Sequence, residues 1–206
     1  KRLFDIVVAS LLLALTLPII VCVAAVIVVT DGRPVFFKQV RMGMHGIPFE
    51  MFKFRSMIVN AANVGSYATS DGDPRITGIG KIIRRTSLDE LPQLINVIRG
   101  DMSIVGPRPD VEAQVAGYQP EEWQLRCSVR PGITGLAQAQ LRSSATPQQR
   151  LALDLQYARN PGLLKDLGNL ANWGVWLTIP FSMLISWVFF TMEQIGEFSE
   201  NPFDNS

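Results

Sequence analysis

The stretch IVVASLLLALTLPIIVCVAAVIVVT, Ile6 to Thr30, runs for 25 residues without a charge. As a helix it would reach roughly 37 Å at 1.5 Å per residue, enough to cross the hydrocarbon core of a bilayer. It is too long for the apolar region of a signal peptide, and no small-residue cleavage site precedes the polar stretch at Asp31, so it reads as a permanent membrane element. Pro18 removes a backbone hydrogen bond near its middle, which predicts a bend around Thr16-Leu17-Pro18. Lys1 and Arg2 flank the run on one side and Arg33, Lys38 and Arg41 on the other. The positive-inside rule therefore sets no orientation, and a kinked span and a re-entrant hairpin both fit. The hairpin leaves both flanks in the cytoplasm.

The rest of the 206 residues suffices for one or two domains with a core. A net charge of +1 makes no demand for a nucleic-acid partner, and 48% hydrophobic residues exclude disorder. Cys22 and Cys127 form no CxxC pair and His45 is the one histidine, which argues against structural zinc and against a disulfide scaffold. The near-neutral total hides a basic middle: from Arg33 to Arg108 there are eleven Lys/Arg against six Asp/Glu. Such a region beside a membrane attracts anionic headgroups or phosphate substrates. A second charge-free run, Leu167 to Met192, is rich in Trp and Phe like an interfacial belt.

Local patterns predict a hairpin from Val35-Phe36-Phe37 and Phe49 to Phe54 around the turn-rich Met42 to Gly46. Leu88, Leu91, Leu94, Ile95 and Ile98 predict one helix over Ser87 to Arg99, stopped by Gly100. Thr146-Pro147-Gln148-Gln149 opens another helix with a capping box and proline at its first position, ending at Asn160-Pro161-Gly162.

Three clusters can carry chemistry. Asp89 and Glu90 stand in the first turn of the predicted helix behind Arg84 and Arg85. Ser87 with Glu90 makes a capping box, which explains Glu90 more cheaply than catalysis does, but the box does not need Asp89. Pro92 fits a helix interior poorly, and a broken local rule beside paired acids points to a site. A carboxylate there can bind Mg²⁺ or attack phosphorus. Asp71-Gly72-Asp73 has the DxD form of a nucleotide-sugar metal site, but three residues in a Gly/Pro loop carry almost no specificity and turn chemistry explains them more cheaply. Pro107-Arg108-Pro109 is a stiff turn that holds one arginine out toward solvent or a phosphate.

Read together, Lys1 to Ile6 with its proline-broken helix, Pro34 to Phe37, Lys53-Phe54-Arg55-Ser56-Met57, Asp73 to Thr77, Thr86 to Leu94, Asn96-Val97, Gly100 to Ser103, Val105 to Pro109 and Arg130 to Leu136 resemble the bacterial sugar transferases, and more narrowly the monotopic phosphoglycosyl transferases. The resemblance covers Lys1 to about Asp166. It implies an α+β fold: a re-entrant membrane helix (1–30), a small cytoplasmic catalytic domain of mixed helix and strand (31–166), and an apolar membrane-associated segment with an acidic tail (167–206), with interfacial amphipathic helices. It implies transfer of a sugar 1-phosphate from a UDP-sugar to a polyprenyl phosphate, usually undecaprenyl phosphate, at the cytoplasmic face of the bacterial inner membrane, with membrane lipids as the other partner. Asp89 would be nucleophile and Mg²⁺ ligand, with Glu90 as its partner. Lys53, Arg55, Arg84, Arg142 and the Pro107-Arg108-Pro109 turn would bind substrate. Where the family carries serine before the helix-breaking proline this chain has Leu17, which leaves any hydroxyl at the bend to Thr16. Two other readings stay open: a DxD glycosyltransferase that releases UDP, and a membrane-anchored binding protein in which the two acids only cap a helix. The sugar and the oligomeric state are left undetermined.

Overall fold

The apolar run forms one helix, α1 (Arg2–Asp31), with Pro18 inside it. The computed structural model describes residues 1–64, 72–141, 146–162 and 166, so the expected C-terminal segment, 167–206, lies outside the described residues. Asp5, Ala9, Val23 and Ile27 are buried, and Leu12, Leu13, Ile19, Ile20 and Ala24 pack partly between them. Steps of three and four put these on one face, which rests on the rest of the chain. Leu3, Val7, Leu11, Leu17, Val21 and Val29 are exposed on the remainder. Thr16 Oγ1 donates to the Leu12 carbonyl at 2.7 Å, a side-chain bond of the kind that bends helices. Thr16 thus supplies the hydroxyl beside Pro18.

Both ends of α1 are tied to the polar domain. Arg2 donates to the carbonyls of Val97 and Ile98, and Asp5 accepts from Ser103 Oγ at 2.9 Å and from the Ile104 amide at 3.2 Å. Lys1 Nζ donates to the Val105 carbonyl and the Tyr157 hydroxyl and pairs with Asp166. At the far end Arg55 Nη2 donates to the carbonyls of Asp31 (2.8 Å) and Gly32 (2.7 Å).

The predicted hairpin is present: β1 (Phe36–Met42) pairs antiparallel with β2 (Pro48–Phe54), from Phe36 opposite Phe54 to Met42 opposite Pro48. A short α2 (Ala61–Val64) precedes α3 (Gly78–Arg85), which Thr77 caps by accepting from the Gly80 amide. Then come α4 (Gln93–Arg99), β3 (Ser103–Val105), α5 (Glu112–Val115), α6 (Pro120–Arg126) and β4 (Gly132–Thr134), the last parallel to β3. Helix α7 (Leu136–Leu141) leads to α8 (Pro147–Arg159), whose Thr146–Gln149 capping box forms in both directions as the sequence predicts.

The predicted helix over Ser87 to Arg99 is corrected to two pieces. A 3₁₀ turn, Leu88–Glu90, ends before Pro92, and α4 starts after it. Proline has no amide hydrogen to continue the ladder, so the helix restarts at Pro92 instead of running through it. The break separates the apolar residues that the helical spacing had put together. Leu88 joins Val23, Ile27, Phe54 and Ile83 in one core, while Leu94 and Ile98 join Ala9, Met51, Val97, Met102 and Tyr157 in the other. Gly100 ends α4 at φ 102°, as expected of a left-handed cap.

Asn96, fully buried on α4, docks the hairpin. Its Oδ1 accepts from the Phe52 amide at 3.0 Å, and its Nδ2 donates to the Glu50 carbonyl (2.7 Å) and Asp101 (3.0 Å). The side-chain amide therefore stands where a neighbouring strand's backbone would. Asn96→Ala leaves an amide and a carbonyl of β2 unpaired in a dry site, and is expected to cost about 3 kcal/mol. Chemical unfolding in detergent measures this, and a cost below about 1 kcal/mol would contradict the docking role.

Candidate active site

Three segments meet at the acid pair: the end of β2, the 3₁₀ turn and the loop after β3. The turn begins at Ser87, which takes φ 56°, ψ 17°, a left-handed conformation that a residue with a side chain seldom adopts. Ser87 makes no side-chain cap, and Glu90 does not reach back to it, so the capping-box reading is corrected. The left-handed start turns the chain out of α3 and points both acids toward β2.

Glu90 Oε1 accepts from Lys53 Nζ and from Arg108 Nη2, each at 2.8 Å. Burial opposes its ionisation, but the charges and hydrogen bonds of Arg108 and Lys53 outweigh that and hold its pKa down to about 2. Asp89 is only 8% exposed, and among the described residues its carboxylate accepts no hydrogen bond; Lys53 Nζ stands 3.9 Å away. Its pKa is raised: burial dominates, with the Glu90 charge adding to it, against the opposing pull of Lys53, Arg84 and Arg108. One acid is thus saturated and fixed as an anion, while its neighbour is desolvated and has free lone pairs.

The Pro107-Arg108-Pro109 turn is held by its own backbone. The Gly132 amide donates to the Pro107 carbonyl at 2.9 Å, Arg126 Nη2 to Arg108 at 2.6 Å and Arg41 Nη1 to Pro109 at 3.1 Å. Gly106 and Gly132 let β3 and β4 approach this closely: a Cβ on Gly132 would sit 2.1 Å from the Gly106 nitrogen, and one on Gly106 would sit 2.3 Å from the Arg130 carbonyl. With the carbonyls anchored, the Arg108 side chain is left to reach Glu90.

Of the expected site residues, the structure brings Asp89, Glu90, Lys53, Arg108 and its two prolines together, and the charge of Arg84 acts on Asp89. Arg55 is elsewhere: it is buried against the C-terminal carbonyls of α1, with Nε and Nη1 unpaired. Arg142 and Asp71 lie outside the described residues. Asp73 is taken up by Arg75, which donates to both of its oxygens at 2.7–3.2 Å and lowers its pKa to about 2. Sequence reading passed over Arg126, 4% exposed on α6, which pairs with Asp110 (2.7 Å) and Asp154 (2.9 Å). No local pattern marks it, because its partners lie 16 and 28 residues away.

Among the described residues no three His, Cys, Asp or Glu side chains converge as a metal cluster. Asp89 is the oxygen donor left uncommitted, and a single hard carboxylate completed by substrate phosphates and water is how Mg²⁺ is commonly held. The residues present fit that ion.

The family model for bacterial sugar transferases matches residues 1–180. The chain belongs to that family. It is 43% identical over 167 residues to the uncharacterized sugar transferase EpsL of Bacillus subtilis, covering 81% of each chain. It is 41% identical over 191 residues to a UDP-glucose:undecaprenyl-phosphate glucose-1-phosphate transferase of Escherichia coli, covering 89% of this chain and 39% of that one. A protein of the same name from Caulobacter vibrioides is 40% identical over 174 residues, covering 81% and 65%. The chain thus spans about two fifths of the Escherichia coli relative and four fifths of the Bacillus subtilis one.

Neutralising the two acids is expected to have opposite effects. A raised pKa means that the fold favours neutral Asp89, a stabilisation complete at low pH and lost as the pH climbs through the raised value, so Asp89→Asn should melt higher than wild type at neutral pH. Glu90 is the reverse: its lowered pKa contributes stability above the ordinary carboxylate range, lost as the pH falls toward 2. Glu90→Gln should cost about 3 kcal/mol. Thermal melts of both variants across pH test the pair of signs, and a destabilised Asp89→Asn would return Asp89 to a structural role.

Proposed function

We propose that this protein transfers a sugar 1-phosphate from a UDP-sugar to undecaprenyl phosphate, releasing UMP, as an early membrane step of surface-glycan synthesis. The observation that carries the reading is the contrast within the acid pair: a buried carboxylate that accepts no hydrogen bond among the described residues, beside one locked between two cations. The first is built to react and the second to position.

In the first half-reaction an Asp89 carboxylate oxygen attacks the phosphorus that bears the sugar. An Asp89–phosphorus bond forms, the bond to the bridging oxygen breaks, and UMP leaves with that oxygen and its electron pair. In the second, an oxygen of undecaprenyl phosphate attacks the same phosphorus and displaces Asp89, leaving undecaprenyl diphosphate sugar and the free carboxylate. Lys53, Arg84 and Arg108 surround the acids and offset the charge of the diphosphate. Mg²⁺, when bound through Asp89, supplies further neutralisation between the anionic nucleophile and the phosphates. The relatives' names support a UDP-sugar donor and an undecaprenyl phosphate acceptor. The engagement of Asp73 by Arg75 counts against the DxD alternative.

Burial favours the neutral acid, so the reaction should speed up as Asp89 ionises, with an acid limb above the ordinary aspartate range. The test is nucleotide release from a panel of UDP-sugars with undecaprenyl phosphate and Mg²⁺ in detergent. UMP from wild type and none from Asp89→Asn is expected. UDP as the product, or UMP release that survives Asp89→Asn, would sink the reading.

The way α1 is held supports one membrane arrangement. Its first turn bonds to α4 and β3, and its last carbonyls bond to Arg55 at the end of β2, so one polar domain holds both ends. A spanning helix would put those ends on opposite sides of roughly 30 Å of hydrocarbon. This supports a re-entrant α1 whose exposed apolar face enters the near leaflet and whose two ends share one side with the catalytic domain; the UDP-sugar reading makes that side the cytoplasmic one. Cysteines placed at Leu3 and Arg33 in a background lacking Cys22 and Cys127 should both react with an impermeant maleimide applied from that side. Labelling from opposite sides would establish a span.

A further inference from the structure

Arg41, near the end of β1, lies within the field of Glu90 and Asp110 but pairs with neither. Its Nε and Nη2 donate to Gln39 Oε1 at 3.1 and 2.7 Å, and Nη1 donates to the Pro109 carbonyl at 3.1 Å. These acceptors are neutral. Among the described residues no carboxylate pairs with it, because the two nearby are spent: Glu90 on Lys53 and Arg108, Asp110 on Arg126 and the Tyr118 hydroxyl. Arg108 and Arg41 flank the same proline, so two guanidinium groups share this wall of the site. A partly buried guanidinium beside a like charge, with no counter-ion of its own, is unfavourable unless an anion completes it. Among the described residues, three bonds leave one N–H hydrogen on each of Nη1 and Nη2 unused, donors of the guanidinium fork that can grip phosphate oxygens.

We propose that Arg41 is a ligand of the donor's diphosphate, bridging it together with Arg108. This rests on the nucleotide-sugar reading above. Arg41 then joins Lys53 and Arg108 in presenting positive charge where the two negative charges of a nucleoside diphosphate sugar would lie. The clamp on the Pro109 carbonyl aims the fork and is not its whole use, since an amide or hydroxyl donor would satisfy that oxygen without bringing a second positive charge beside Arg108.

The test compares UDP with uridine on the full chain in detergent, by direct binding, which needs no turnover. In Arg41→Gln, UDP should bind about tenfold to a hundredfold more weakly, as for loss of a charged hydrogen bond to phosphate, while uridine affinity is unchanged. In Arg41→Lys, which keeps the charge and loses the fork, the loss for UDP should be intermediate, and this variant carries the test if the glutamine variant does not fold. A parallel loss for uridine and UDP would make Arg41 a clamp on the turn only, and unchanged UDP affinity would remove it from the site; either overturns the proposal. Turnover separates the two readings: UDP released in place of UMP defeats the transfer reaction, whereas UMP release with a donor KM unchanged in Arg41→Gln defeats the role of Arg41 alone.

Discussion

The carboxylate of Glu90 is the joint on which the site depends. It takes Lys53 from the hairpin and Arg108 from the loop after β3, and so fixes three segments that no backbone ladder connects. The charge balance sets what remains: two cations satisfy Glu90, Lys53 is 3.9 Å from Asp89, and Asp89 is left buried without a hydrogen bond among the described residues. A carboxylate in that condition costs stability, which is the usual signature of a group kept for chemistry and not for folding. The strained φ of Ser87 belongs to the same account, because an unstrained helical entry would cap the turn with the very acids that have to face β2.

The Arg108 side of the joint is rigid for reasons remote in sequence. Arg126 fills the space between α6, α8 and the turn, and its fork satisfies Asp110, Asp154 and the Arg108 carbonyl together. Tyr118 closes the set by donating to Asp110. The glycines at 106 and 132 allow the two short parallel strands to touch backbone to backbone, so the turn has little room to shift. In the proposed reaction, a loop held in this way would bring a pre-ordered guanidinium to substrate with little loss of side-chain freedom on binding.

Much of the local structure was legible in the sequence, and the reasons are physical. The hairpin and α8 depend on turn residues, alternation and a capping box that act within a few positions. Asp89 stood out because the cap had no use for it. The capping reading of Glu90 fails because the same Ser87-Leu88-Asp89-Glu90 pattern serves a helix cap and an ion-pair joint, and only the partners at Lys53 and Arg108 decide between them. The single helix over Ser87 to Arg99 failed at Pro92, where the missing amide outweighed apolar periodicity. Asn96, Arg126 and Arg41 were illegible as site or packing residues, since each acts on backbone that the chain reaches only after folding. Arg55 carries the opposite lesson: it shares a motif with Lys53, yet it caps the C-terminal carbonyls of α1.

That cap connects the apolar helix to the acid pair. Lys53 and Arg55 are two residues apart, so the end of β2 that presents a cation to Glu90 also grips α1 at Asp31 and Gly32. At the other end Asp5 bonds to Ser103 and Ile104, and the strand they begin leads directly into the Gly106 to Pro109 turn. Each half of the acid-binding frame is therefore bonded to one end of the apolar helix. In the proposed re-entrant arrangement, a helix bound at both ends and apolar on its outer face would set the depth of the domain as well as anchor it. An acceptor phosphate confined to the headgroup plane varies little in height, so a site fixed in height would meet it by lateral diffusion alone. In the proposed reaction the entropy of orienting a lipid phosphate against Asp89 would then be met largely by the folding of α1 onto the domain, before either substrate arrives.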